Sequence, residues 1–171
     1  NEKYMVESKA RGRGGLFVTG HCGNWELMRA FVPKFGYTIN TVVRQVYDPR
    51  IDKLINDHRE KYGCRAIPRE SKAAVAEIAR IFQDNEFVGL LMDQDTKVRG
   101  VWAPFFGQLA HTPSGPAYLA YMADMDALSV YIYRRPGGGH TVTVGPPMKR
   151  PQTGDMKADI QAYTAILNQA A

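Results

Sequence analysis

Short apolar runs alternate with helix-like segments along most of the chain. Four of these runs are rich in β-branched or aromatic residues and are bounded by glycine, proline or charged residues, which is typical of buried strands. They span residues 15–20, 41–44, 64–68 and 86–92. The last run is almost continuously apolar, as expected for a central strand of a parallel sheet.

Helical spacing of apolar residues fills the gaps between these strands. It predicts helices over residues 24–34, over residues 71–85, and from Pro49 up to Gly63, the last with Asp48 as its N-cap. Residues 93–112 are predicted to form a long loop. A helix over 113–123, strands over 127–133 and 140–144 joined by a glycine turn, and a helix from residue 155 complete the chain.

This order predicts an α/β fold with a mostly parallel central sheet flanked by helices. The chain has 171 residues, of which 44% are apolar, so we expect a single domain over residues 1–171. No run approaches the eighteen or so apolar residues that cross a membrane. The chain starts at Asn1 and stops inside a helix-like run, and we interpret it as a fragment.

The net charge of +5 favours partners with negative charge, such as anionic lipid surfaces or acidic carrier proteins. Nucleic acid is disfavoured because the aromatic residues do not alternate with the basic ones as stacking platforms do. Two cysteines, Cys22 and Cys64, do not make a disulfide framework, so a reducing compartment is expected.

Polar residues follow three of the predicted strands, where parallel sheets usually bind ligands. The segment from His21 to Glu26 follows the first strand, Arg44 the second, and Asp93-Gln94-Asp95 the fourth. A histidine held in one tautomer by a carboxylate can act as a general base toward a substrate hydroxyl. From spacing alone, a helix start with an acidic first turn and an unrelated histidine is the commoner explanation.

The residues around this histidine go beyond spacing. The hexapeptide at 21–26, His-Cys-Gly-Asn-Trp-Glu, resembles the His-x4-Asp/Glu signature of glycerolipid-type acyltransferases. Its Gly-Asn-Trp-Glu portion is similar to that of the bacterial late lipid A acyltransferases, the lauroyl and myristoyl transferases. Further blocks at 43–49, 51–55, 91–95, 100–107, 110–112 and 115–117 also resemble that family. The resemblance covers roughly residues 15–145 and is carried by several motifs in order.

The resemblance implies transfer of a fatty acyl chain from acyl carrier protein or acyl-CoA to a hydroxyl of a membrane glycolipid, with lipid A or its precursor as the leading acceptor. No cofactor is implied. It places the reaction at a membrane surface, on the cytoplasmic face of the bacterial inner membrane. The family's N-terminal hydrophobic helix and C-terminal block have no counterpart here, which again suggests a truncated catalytic core.

The resemblance also implies roles for individual residues. His21 would deprotonate the acceptor hydroxyl, and Glu26 would orient His21. Arg59 and Arg44 would bind phosphate or stabilise negative charge. Asp93 would have a supporting role.

Asn24 is a further candidate for substrate binding or charge stabilisation. A metal is not expected, because His21, Cys22 and Glu26 have no fourth ligand at a suitable spacing. Two alternatives stay open. The acceptor is a lysophospholipid or a phosphatidylinositol mannoside instead of lipid A, or the chain is a non-catalytic basic domain that binds membrane surfaces.

Overall fold

The computed structural model describes residues 2–94 and 97–171, so Asp95 of the predicted polar cluster lies outside the described residues. The helices are α1 (Lys3–Ala10), α2 (Trp25–Met28), a 3₁₀ helix (Arg29–Phe35), α3 (Pro49–Lys61), α4 (Ala74–Gln83), α5 (Gly115–Met122) and α6 (Met156–Asn168). The strands are β1 (Gly15–Thr19), β2 (Ile39–Val43), β3 (Cys64–Pro68), β4 (Phe87–Leu91), β5 (Gly100–Phe105), β6 (Gln108–Pro113), β7 (Ala127–Arg134) and β8 (His140–Met148).

Six strands form the central sheet in the order β3-β2-β4-β1-β7-β8. Every neighbouring pair is parallel except β7 and β8, which form an antiparallel hairpin at the edge. The predicted fold class, an α/β fold with a mostly parallel sheet flanked by helices, is confirmed. Because β1 lies between β4 and β7, the segments that follow β1 and β4 leave the sheet side by side.

Both faces of the sheet are buried, each against its own layer of helices. Side chains alternate along β1, so Leu16 and Val18 belong to one core cluster and Phe17 to the other. The first cluster includes residues of α4, α5 and α6, and the second includes residues of α1, α2 and the 3₁₀ helix. Within the described ranges, no helix is both long and apolar enough to cross a membrane.

The structure differs from the sequence prediction after β1 and at the N-terminal segment. The helix predicted over 24–34 is a single α-helical turn that continues as a 3₁₀ helix containing Pro33 and ends at the left-handed Gly36. Proline lacks the N–H that an α-helix would use, so regular α-helix is not sustained there. The segment from Lys3 to Ala10, for which no element was predicted, forms α1.

The predicted loop over 93–112 contains a β-hairpin, which corrects that prediction. Strands β5 and β6 pair with each other in register from Gly100↔Pro113 to Phe105↔Gln108. Phe106 and Gly107 form the turn with φ of 47° and 78°, the left-handed conformation that two-residue hairpin turns require. Pro104 lies inside β5, and a proline within a run argues against a strand in sequence analysis.

Candidate active site

The first element of the site is a contact between His21 and Asp93, which follow the neighbouring strands β1 and β4. The two strands are paired up to Thr19↔Leu91, and the Met92 N–H then donates to the Thr19 carbonyl oxygen at 3.2 Å. Beyond that point the His21 backbone N–H donates to Asp93 Oδ2 at 2.7 Å. The His21 Nδ1 atom lies 2.6 Å from Asp93 Oδ1. One carboxylate therefore fixes both the backbone and the ring of His21.

Two glycines allow this arrangement. A Cβ at Gly20 would lie 3.0 Å from Asp93 Oδ2, so a side chain there would crowd the carboxylate. Gly23 has a φ of +62°, and a Cβ on it would lie 2.3 Å from the carbonyl oxygen of Ile132 in β7. The loop that carries His21 can therefore lie directly on β7 only because glycine occupies position 23.

The geometry of the pair determines which ring nitrogen is available for chemistry. An ionised carboxylate only accepts hydrogen bonds, so Asp93 keeps the proton of a neutral His21 on Nδ1 and leaves the lone pair on Nε2. The His21 side chain is 30% exposed and that of Asp93 is 19% exposed, so the ring is open to a substrate. The Trp25 ring meets the His21 ring edge-on, with centroids 5.2 Å apart. Such a histidine can act as a general base.

Glu26 contacts two arginines. Arg59 of α3 donates from Nη2 to Glu26 Oε1 at 2.9 Å, and Arg29, one helical turn after Glu26, pairs with Glu26 Oε2. Among the described residues His21 does not contact Glu26, and the carboxylate on His21 Nδ1 belongs to Asp93. The physical reason is that a residue in the first turn of a helix faces its i+3 neighbour, and that neighbour is Arg29.

The two arginines are largely buried. Their side chains are 10% (Arg29) and 12% (Arg59) exposed. Burial lowers the pKa of both guanidiniums, which nonetheless remain protonated because the ordinary value is so high. Each has an Nε atom without a hydrogen-bond partner. With Glu26 as their shared carboxylate, the cluster Glu26–Arg29–Arg59 carries a net positive charge.

An apolar cavity lies beside this cluster, against the sheet. Arg29, Arg59 and Trp25 form part of its wall. The rest comes mainly from the sheet, the turn of α2 and the 3₁₀ helix: Phe17, Thr19, Met28, Phe31, Val32, Ile39, Thr41, Val42, Val43, Gly89, Leu90, Leu91 and Val130. The open volume is about 50 Å³, so the cavity is narrow. Its wall therefore combines a mostly apolar surface with the side chains of Arg29 and Arg59.

The remaining predicted residues, Asn24 and Arg44, belong neither to the His21–Asp93 pair nor to the Glu26–Arg29–Arg59 cluster. Asn24 is the N-cap of α2, and its Oδ1 accepts from the Leu27 N–H at 3.0 Å. Arg44 is exposed just beyond the end of β2. Sequence analysis did not single out Arg29, although its i+3 spacing from Glu26 was a readable signal. Among the described residues, no group of three histidine, cysteine or acidic side chains is arranged to hold a metal ion.

The family model described as bacterial lipid A biosynthesis acyltransferase matches residues 1–171. The chain belongs to this family. It is therefore an acyltransferase-family chain, and the matched region contains the His21–Asp93 pair, the Glu26–Arg29–Arg59 cluster and the apolar cavity.

Curated relatives of this lipid A acyltransferase-family chain are phosphatidylinositol mannoside acyltransferases. The protein of that name from Mycolicibacterium smegmatis is 26% identical over 153 residues, which cover 88% of this chain and 50% of the relative. The one from Mycobacterium tuberculosis H37Rv is 26% identical over 161 residues, covering 93% of this chain and 50% of the relative. The chain thus spans about half the length of the curated relatives it matches.

Proposed function

We propose that this protein transfers a fatty acyl chain from a thioester donor to a hydroxyl of a membrane glycolipid. His21 is the general base, and Asp93 is the carboxylate that orients it. The observation that carries the proposal is the 2.6 Å contact between His21 Nδ1 and Asp93 Oδ1 at the carboxyl ends of two adjacent parallel strands. Among the described residues no serine is hydrogen-bonded to His21, so the proposed hydroxyl nucleophile is that of the acceptor.

The acceptor hydroxyl gives its proton to His21 Nε2 while its oxygen forms a bond to the thioester carbonyl carbon. The tetrahedral intermediate then collapses, the carbon–sulfur bond breaks, and the leaving sulfur takes the proton back from His21. Asp93 stabilises the imidazolium that exists between the two proton transfers.

The apolar cavity is the proposed site of the acyl chain. Its wall is mostly apolar, and its two charged members are Arg29 and Arg59, whose partnerless Nε donors suit a carbonyl oxygen or a developing oxyanion. An open volume of about 50 Å³ holds only a small part of a fatty chain, so side chains along the wall must move apart on binding. Glu26 keeps the two arginines in place during this movement.

Gly89→Ala is expected to shift the preference of the enzyme toward shorter acyl chains. A Cβ at Gly89 would lie 3.5 Å from Thr41 Cγ2 and 3.6 Å from Ile39 Cδ1, so it fits without backbone movement but fills part of the cavity. A misfit of one methylene changes kcat/KM by about tenfold or more. The measurement compares kcat/KM for donors of increasing chain length. Gly115→Ala, in α5 with open space around it, is the control. An unchanged chain-length profile would exclude this cavity as the acyl site.

The acceptor is proposed to be a glycolipid with a sugar and a phosphate in its headgroup. Support for a phosphatidylinositol mannoside comes from the two mycobacterial relatives, and support for lipid A comes from the family description. The relatives favour the mannoside, which sequence analysis ranked second. Acyl-CoA and acyl carrier protein are both suitable donors, because each presents the same thioester.

The test is an acyl-transfer assay with purified protein and a panel of acceptors in phospholipid vesicles. Palmitoyl-CoA and palmitoyl-acyl carrier protein are the donors, and a phosphatidylinositol dimannoside, a lipid A precursor and a lysophosphatidic acid are the acceptors. We expect mass spectrometry to find an added acyl chain on a glycolipid acceptor. Protein that sediments with the vesicles but acylates none of them would instead favour the non-catalytic membrane-binding alternative.

We also propose that the protein works at the cytoplasmic face of the bacterial inner membrane. The acceptor is a lipid, and Trp102, Phe106 and Leu109 of the β5–β6 hairpin are 63%, 93% and 66% exposed, so they are available for contact with lipid. The thiols of Cys22 and Cys64 are both free, which agrees with a reducing compartment. The sedimentation arm of the same assay tests the membrane contact.

A further inference from the structure

A second cavity lies beside the loop that carries His21 and is more polar than the apolar cavity. It is lined by Gly23, Asn24, Trp25, Glu26, Arg134 and His140. Its volume is about 430 Å³, which is within the usual range of ligand pockets, roughly 300–1,000 Å³. Four of its six lining residues have polar side chains, whereas most residues that line the apolar cavity are apolar. Trp25 forms part of both walls.

The fold brings Arg134 and His140 to this cavity through the β7–β8 hairpin. The two residues are direct cross-strand partners, so their side chains share a face of the hairpin. Ile132, two residues before Arg134, has its side chain on that same face. Its backbone carbonyl oxygen is the atom against which Gly23 packs. The contact that fixes the His21 loop on β7 therefore also places Arg134 next to residues 23–26.

The charges around the cavity favour an anion. The carboxylate of Glu26 is already paired with Arg29 and Arg59, so it does not neutralise the positive charge of Arg134. A guanidinium presents paired donors that match two phosphate oxygens. The cap on α2 uses only the Asn24 Oδ1 atom, which leaves the Asn24 amide N–H donors for hydroxyl groups. The flat ring of Trp25 can cover the apolar face of a sugar.

We infer that this cavity binds the sugar-phosphate headgroup of the acceptor, with Arg134 on the phosphate and Trp25 and Asn24 on the sugar. The inference rests on the proposed acyl transfer and assigns a binding site to the acceptor of that reaction. Transfer needs the donor thioester and the acceptor hydroxyl to meet at His21. Because the apolar cavity suits the acyl chain, the polar cavity that shares Trp25 with it is left for the partner that carries the hydroxyl.

Arg134→Gln is expected to raise the KM for the glycolipid acceptor about 10- to 100-fold, the usual effect of losing hydrogen bonds to a charged group. We expect kcat to stay within about twofold, since binding strength and not the His21–Asp93 chemistry is changed. Assays use mixed micelles of phosphatidylinositol dimannoside with palmitoyl-CoA held at saturation.

Arg135→Gln is the matched control. It removes the same charge from the next position, but Arg135 folds over the glycine turn, where its Nη2 would meet a Cβ on Gly139 at 2.7 Å, and it does not line the cavity. Equal effects of the two substitutions would overturn the inference, because they would reflect net charge alone. A raised KM for palmitoyl-CoA would overturn it as well, because Arg134 would then serve the donor.

A binding measurement separates failure of this inference from failure of the proposed function, because it needs no turnover. Inositol 1-phosphate, glucosamine 1-phosphate and inorganic phosphate are titrated into the unmutated protein and into Arg134→Gln by calorimetry. We expect the sugar phosphates to bind the unmutated protein at least tenfold more tightly than the variant. Equal binding to both proteins contradicts the role of Arg134. Inorganic phosphate binding as tightly as the sugar phosphates contradicts the role of Trp25 and Asn24.

Discussion

His21→Ala is expected to lower kcat for acyl transfer by at least about 100-fold and up to about 10,000-fold, the range that general-base catalysis contributes. The substitution removes the Nε2 lone pair that takes the acceptor proton, while the Asp93 carboxylate still accepts from the backbone N–H of residue 21 at 2.7 Å. The loop should therefore keep its path. Steady-state kinetics give the loss, and circular dichroism and the thermal unfolding midpoint establish that the fold is retained.

His58→Ala is the control for this experiment. His58 is exposed on α3 and contacts only the Tyr62 ring among the described interactions, with centroids 4.9 Å apart. Its loss should leave kcat within about twofold, because surface substitutions away from special features have small effects. If His21→Ala retained activity within about tenfold of the unmutated protein, His21 would not be the general base, and the loop would have only a structural role.

Sequence analysis found both members of the central pair but not the pairing. The apolar runs that became β1 and β4 are strong patterns, and each has a polar residue directly after it, so His21 and Asp93 were both candidates. What the pattern does not contain is the strand order. The neighbours β1 and β4 are separated along the chain by two other strands, and only the folded sheet shows that their ends adjoin.

The contact expected between His21 and Glu26 was inferred from closeness along the chain, and the described residues pair Glu26 with arginines instead. His21 and Glu26 are five positions apart, which favours a local pair, but the loop between them bends at Gly23 and the helix turns Glu26 toward Arg29. Arg59 joins from α3, so the cluster depends on tertiary packing. The polar cavity depends on tertiary packing as well, since Arg134 and His140 come from the β7–β8 hairpin, far along the chain from residues 23–26.

Replacing Asp93 or Glu26 by its amide is expected to have different effects on kcat and on stability. In Asp93→Asn, the His21 backbone N–H still requires an acceptor, so the amide oxygen takes that contact and the amide NH₂ faces His21 Nδ1. The ring proton must then sit on Nε2, where the base needs a lone pair. We expect kcat to fall about 1,000- to 10,000-fold, as in serine protease triads that carry the same change. The unfolding midpoint should change little.

Glu26→Gln removes the shared counter-charge of Arg29 and Arg59 and leaves two largely buried guanidiniums facing each other. The expected loss of stability is about 1–3 kcal/mol, below the full cost of breaking a buried pair because Glu26 itself is 41% exposed. The free energy of unfolding is measured by urea titration. Glu26→Gln combined with Arg29→Met should recover part of the loss, because one uncompensated charge is gone.

The kinetic comparison then decides which carboxylate serves the base. If Asp93 orients His21, Asp93→Asn lowers kcat without a matching loss of stability, whereas Glu26→Gln lowers stability and acts on kcat mainly by displacing Arg59. A larger kcat loss in Glu26→Gln, with Asp93→Asn nearly active, would mean that Glu26, and not Asp93, contacts His21 during catalysis. Such a result would require the loop at Gly23 to rearrange on substrate binding, since Gly23 is held against Ile132.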